Sequence, residues 1–131
     1  MDSIRFLPTK IHGALDYLVA IALILAPNIF QFSGNPAAAW IPRLLGVVLI
    51  VYSVLTNYEW GVFKVVEMPY HLVIDFLASL FLAASPFLFG FYREPLNVWL
   101  PHLVVGIVVI LVVAVTQTQP GSSTRTTPAS A

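Results

Sequence analysis

A single offset of 59 residues brings this chain into register with itself. His12 falls on His71, Asp16 on Asp75, Pro27 on Pro86, and Phe30 and Phe32 on Phe89 and Phe91. The same offset, with no gap, goes on to pair Pro36 with Pro95, Trp40 with Trp99 and Pro42 with Pro101. Matched leucines mean little in a chain this apolar, but matched His, Asp, Pro and Trp at one register indicate an internal duplication. The two copies open as HGALDYLVAIALILAPNIFQF from His12 and HLVIDFLASLFLAASPFLFGF from His71. Whatever one half folds into, the other must fold into as well.

What that half can be follows from its charge content. Only 9% of the 131 residues are charged, against 59% hydrophobic, and mean hydropathy is +0.89. A soluble domain carries about 25% charged residues. Lipid removes the need for a charged exterior, so the sequence predicts a membrane protein. An apolar stretch of about 20 residues spans a bilayer. Four such stretches are present, giving an all-α, four-transmembrane-helix bundle built from two tandem two-helix repeats.

In chain order the prediction is a polar lead over residues 1–9, with Thr9 as N-cap, then a first repeat over 10–56. Its first helix runs from Lys10 to about Ala26, where Pro27 ends or bends it. A polar turn with Gly34, Asn35 and Pro36 follows, and a second span runs from Trp40 to about Thr56, with Pro42 in its first turn and Trp40 at headgroup level. A connecting loop over 57–68 carries Tyr58, Glu59, Trp60 and Lys64. The second repeat covers 69–115, with Pro69 opening a helix to Ser85-Pro86 and a last span from Trp99 to Val115. The Ser/Thr/Pro-rich tail, 116–131, reads as disordered. A rival for the N-terminal segment is a signal peptide cleaved near Ala37-Ala38-Ala39, but that segment is half of a repeat.

SPFLFGF at Ser85–Phe91, after a His-x-x-x-Asp helix, resembles the SPW-repeat family of small bacterial integral membrane proteins. Phe87 stands where that family has its Trp, and the first copy reads Ala26-Pro27-Asn28. The resemblance implies a duplicated two-helix membrane unit, a bacterial plasma-membrane location and no particular activity.

An even number of spans puts both termini on one side, together with Arg5, Lys10, Lys64 and Arg125; Arg43 and Arg93 lie on the other. By the positive-inside rule the termini, and the 57–68 loop, are cytoplasmic. Net charge is zero, which gives no case for nucleic acid. The expected partners are the lipid bilayer and either further copies of the chain or another membrane protein. With no cysteine there is no disulfide, thiolate metal site or cysteine nucleophile.

The candidate site is the cluster His12, Asp16, His71 and Asp75. Residues four apart share a helix face, and Ala20 and Ser79 continue it one turn on. Small residues let backbones approach closely in lipid, so this stripe predicts helix one packed on helix three, with helices two and four outside. Three roles compete for the cluster. As polar glue, each Asp accepts from the His one turn earlier or from the other repeat. As a ligand set, two His and two Asp bind a divalent ion, or the two His hold a haem. As a relay, the pairs pass protons or a small solute, although helices two and four offer only Tyr52 and Ser53 at mid-depth. His102 and Arg43 occupy equivalent positions near the outer headgroups, where lipid or water contact is expected. No Ser/His/Asp set, HExxH pattern or phosphate loop is present. The expectation is a non-enzymatic structural or partner-binding membrane protein, with no catalytic residue, no metal and no cofactor assigned. The alternative is a transporter-like or metal/haem-binding protein using the His-Asp stripe.

Overall fold

A computed structural model describes residues 4–121. It contains four helices: α1 (Thr9–Ile29), α2 (Pro36–Val54), α3 (Met68–Leu88) and α4 (Leu96–Val115), with a 3-10 turn at Phe91–Arg93 before α4. All four are long and apolar enough to cross a membrane. At 1.5 Å per residue, helices of this length reach about 30 Å, the thickness of a bilayer core. Their outer faces carry Leu18, Ile21, Val48, Val51, Phe76, Leu80, Val104 and Leu111, all exposed. This is the all-helical four-span membrane bundle expected from the apolar pattern.

The helices pair differently from the expectation. The close pairs are α1 with α2 and α3 with α4, within each repeat, while α1 and α3 keep their backbones apart. The cause is one glycine on each second helix. A Cβ on Gly46 would stand 2.7 Å from Ala20 O, and one on Gly106 would stand 2.7 Å from Ser79 O. The small residues Ala20 and Ser79 do promote close packing, but against the glycine of their own repeat.

The repeat is also offset by one residue in its second half. The turn between α1 and α2 has six residues, 30–35, and the turn between α3 and α4 has seven, 89–95. Burial in the second helices therefore matches at 60 residues, not 59: Ala38 with Val98, Pro42 with His102, Gly46 with Gly106, Ser53 with Val113 and Thr56 with Thr116. The prolines and tryptophans keep 59. Arg43 and His102 are consequently not equivalent. Arg43 lies at the edge, bonded to Asn28, whereas His102 is buried between Phe32 and Phe91.

Pro27, Pro42, Pro86 and Pro101 sit inside helices, and two of them come with a substitute donor. A proline lacks the N–H that would bond the carbonyl four residues back. Pro42 leaves Ala38 O without that partner, and His102 Nε2 donates to it at 2.8 Å from α4. Pro86 does the same to Leu82 O, and Ser85 Oγ donates there at 2.7 Å. α1 continues through Pro27 to Ile29, and α2 starts at Pro36, which makes Pro42 internal. Pro8, not Thr9, occupies the N-cap of α1; the Thr9 hydroxyl instead donates to Glu59 at 2.7 Å.

The segments that enter α1 and α3 complete the bundle. Leu7 pairs with Thr116 and Val66 with Thr56, each as a short parallel bridge. The lead of each repeat thus lies on the end of the other repeat's second helix. Arg5 donates to Val113 O and Thr116 O. Thr116 is thereby fixed and buried, contrary to a tail disordered from 116 onward; the remainder of that predicted tail from 122, like Arg125 and residues 1–3, lies outside the described residues.

Candidate functional site

The two histidines lie one turn into α1 and α3, and the two aspartates one turn further. Both pairs point at the interface between the repeats, where the backbones stand apart and long polar side chains fill the gap. All four are buried, His71 completely. The sequence cluster is therefore a single quartet. His12 Nε2 donates to Asp75 Oδ2 at 2.8 Å and lies 3.1 Å from Asp16 Oδ1. His71 Nε2 lies 3.0 Å from Asp16 Oδ2 and 3.2 Å from Asp75 Oδ2. The short contacts thus run across the repeats as well as along each helix. His71 Nε2 sits between the two carboxylates at angles that make these ion-pair contacts and not directed hydrogen bonds.

An outer ring of hydroxyls holds the quartet. His12 Nδ1 is 2.8 Å from Thr116 Oγ1, and His71 Nδ1 is 2.7 Å from Thr56 Oγ1. Each threonine serves the histidine of the other repeat. Tyr52 donates to Asp75 Oδ1, and Tyr58 donates to Asp16 Oδ2 at 2.8 Å. The tyrosines break the twofold pattern, because Val112 stands where a second Tyr52 would be, and Tyr58 comes from the connecting loop instead. Burial, and then the neighbouring Asp16 carboxylate, push the Tyr58 phenol well above its ordinary pKa, so it remains a donor.

The SPW repeat domain model matches residues 10–116. The chain belongs to the SPW repeat family. No curated protein and no solved structure matches it. For an SPW repeat, the fold gives the Ser-Pro pair of the motif a physical role: proline removes a backbone donor inside α3, and the serine beside it supplies one. The first copy, with Ala26 before Pro27, lacks that hydroxyl.

Beyond the quartet the space between the repeats is underfilled. A cavity of about 160 Å³ runs from His12, Asp16, Tyr52 and Asp75 along apolar walls to Leu23 and Leu82. A second, of about 110 Å³, shares Val19, Leu23, Leu82 and Val105 with it and reaches Phe32 and His102. Tyr52 and Ser53, expected at mid-depth, lie instead in the last turn of α2, level with the quartet. The imidazoles of His12 and His71 meet edge to face with centroids 5.5 Å apart.

Three partners were missed from sequence: Thr56, Thr116 and Tyr58. The threonines are 60 apart, so they fall out of an alignment at 59. A comparison of the second helices allowing one inserted residue would have paired them, along with Gly46 and Gly106.

Proposed function

We propose that this SPW repeat protein is a non-enzymatic structural or partner-binding component of the membrane, with the quartet as the polar brace that fixes one repeat against the other. The observation that carries this is the exchange of partners across the repeats: Asp75 with His12, Asp16 with His71, and each histidine with the other repeat's threonine. Buried polar groups in lipid must find partners within the protein. Here the shortest His-Asp contacts and the threonine partners exist only when both repeats are in place.

The test replaces Asp75 or Asp16 with Asn and with Leu. The Asn variants keep an acceptor and lose little thermal stability. The Leu variants strand tyrosine and histidine donors and lose about 1–2 kcal/mol, the scale of a strong membrane hydrogen bond. Unchanged stability of both Leu variants in detergent would overturn the brace.

A second role is supported by the cavity, which joins a polar end to apolar walls. That combination suits a small apolar molecule with one hydrogen-bonding end. The lipid extract of the purified protein should then contain a stoichiometric non-bulk component, and an extract with none would remove this role. A proton relay has less support, since among the described residues Ser79 is the one polar side chain in the cavity lining between the quartet and His102.

A further inference from the structure

The protonation pattern of the quartet points to a ligand beyond the brace. Thr56 Oγ1 lies 2.6 Å from Tyr52 O, and Thr116 Oγ1 lies 2.6 Å from Val112 O. A carbonyl can only accept, so the single hydrogen of each hydroxyl is committed to its own helix. The threonine oxygen facing each histidine must then accept, and Nδ1 of His12 and of His71 carries the proton. The tautomers follow from the hydrogen-bond network. They leave both Nε2 lone pairs aimed at the two carboxylates.

Lone pairs on two nitrogens facing two carboxylates require two positive charges at the centre. A proton on each Nε2 supplies them, and so does one divalent ion. Protons serve His12 well, through its bond to Asp75. They serve His71 poorly, because its fully buried Nε2 makes no directed hydrogen bond. An ion at the centre has one ligand atom of each group within reach.

We propose that His12, Asp16, His71 and Asp75 form a buried four-coordinate site for one divalent transition metal of the zinc type per chain. One ligand atom from each residue lies within 4.8 Å of all the others. The N···O contacts around the quartet are 2.8–3.2 Å, with Asp75 using Oδ2 towards both histidines and Asp16 using Oδ1 towards His12 and Oδ2 towards His71. Metal bonds of about 2.0–2.1 Å in a tetrahedron give ligand-to-ligand edges of roughly 3.3–3.4 Å. Metal binding thus lengthens the N···O contacts by a few tenths of an ångström and draws together the ligand atoms that stand further apart, within the 4.8 Å span of the cluster. Two imidazoles and two carboxylates suit zinc, iron or manganese. Each ligand already has the outer partner that orients metal ligands: a threonine for each histidine and a tyrosine for each aspartate. Uptake displaces the two Nε2 protons to solvent, so the net charge of the site is unchanged.

This inference rests on the same quartet as the brace, and the experiment separates the two. Untagged full-length protein in detergent is stripped with a chelator, then given zinc(II) or cobalt(II). One ion per chain is expected, with the visible bands of tetrahedral cobalt and a raised melting temperature. Replacing both aspartates, Asp16→Asn with Asp75→Asn, should weaken zinc binding by at least about 100-fold, while Thr56→Val with Thr116→Val, which keeps every ligand, should weaken it by about 10–100-fold. A folded wild-type protein that takes up neither ion overturns the metal site and leaves the brace standing. Equal uptake by the aspartate double variant also overturns it, as binding elsewhere on the chain. Leu variants at the aspartates that match metal-free wild type in stability overturn the brace.

Discussion

Ser85 and His102 show how single side chains make prolines tolerable inside membrane helices. Each donates to a carbonyl that a proline has left without its usual N–H. In water such a carbonyl could hydrate, but in a bilayer only protein groups are available. Ser85→Ala should therefore destabilise by about 0.5–1.5 kcal/mol, the net worth of one hydrogen bond. Ala26→Ser in the first copy should recover some stability, if its hydroxyl reaches Leu23 O as Ser85 reaches Leu82 O. The His102 case allows a sharper measurement. His102→Leu should cost about 1–3 kcal/mol where Pro42 is present, since Ala38 O is then left unsatisfied. In a Pro42→Ala background, the restored backbone N–H serves Ala38 O and His102→Leu should cost less. A double-mutant cycle from thermal or denaturant unfolding in detergent reads the difference, and additive effects would rule out the substitution of His102 for the missing donor. A third residue-scale prediction concerns the end of α1. Gln31 has φ 59°, and its counterpart Gly90 has φ 77°. Left-handed backbone costs a residue with a side chain about 1–2 kcal/mol, so Gln31→Gly should stabilise and Gly90→Gln should destabilise.

The elements were legible because four apolar stretches of spanning length, bounded by Trp, Pro and polar turns, have no other use in a chain with so few charges. The convergence of His12, Asp16, His71 and Asp75 was legible too, since a duplication places equivalent residues at equivalent depth. Which helices pair closely was not. Ala20 and Ser79 announce close packing without naming a partner, and Gly46 and Gly106, which decide it, stand at a different offset from the prolines. That one-residue shift also hid Thr56 and Thr116 and made Arg43 appear to match His102. Pro27 and Pro86 were read as helix ends because local propensity disfavours proline inside a helix; both helices run two residues further, and at Pro86 the adjacent Ser85 supplies the missing donor. The packing argument has its own test. Gly46→Ala places a methyl group against backbone at Ala20, where no side chain can move aside, and overpacking of this kind costs about 1–3 kcal/mol. Gly106→Ala should behave alike, because its Cβ meets Ser79 O and Ala83. Retained stability in both alanine variants, measured by thermal unfolding in detergent, would show that the two helices can separate without penalty.

At the scale of the whole molecule, the exchange of leads and partners sets which side each loop occupies. Leu7 lies on the end of α4 and Val66 on the end of α2, so the N-terminal lead, the 57–67 loop and the end of α4 share one face. Arg5, Lys10 and Lys64 belong to that face. The turns at 30–35 and 89–95 share the other, with Arg43 and Arg93 near them. Short loops with more Lys and Arg stay on the cytoplasmic side, so the expected orientation puts the quartet, one turn in from the positive face, near the cytoplasmic surface. A reporter active only in the cytoplasm should give signal when fused after Ala131. One active only outside should give signal when inserted at Gly34, where a side chain would meet nothing within 4 Å and an insertion leaves the packed helices intact. Reversed signals at both sites would invert the molecule and put the quartet near the outer surface. The three-to-two margin in charge among the described residues is narrow enough to test by design: Lys64→Glu with Arg5→Gln removes two of the three and should yield a mixed population, detectable as signal from both reporters.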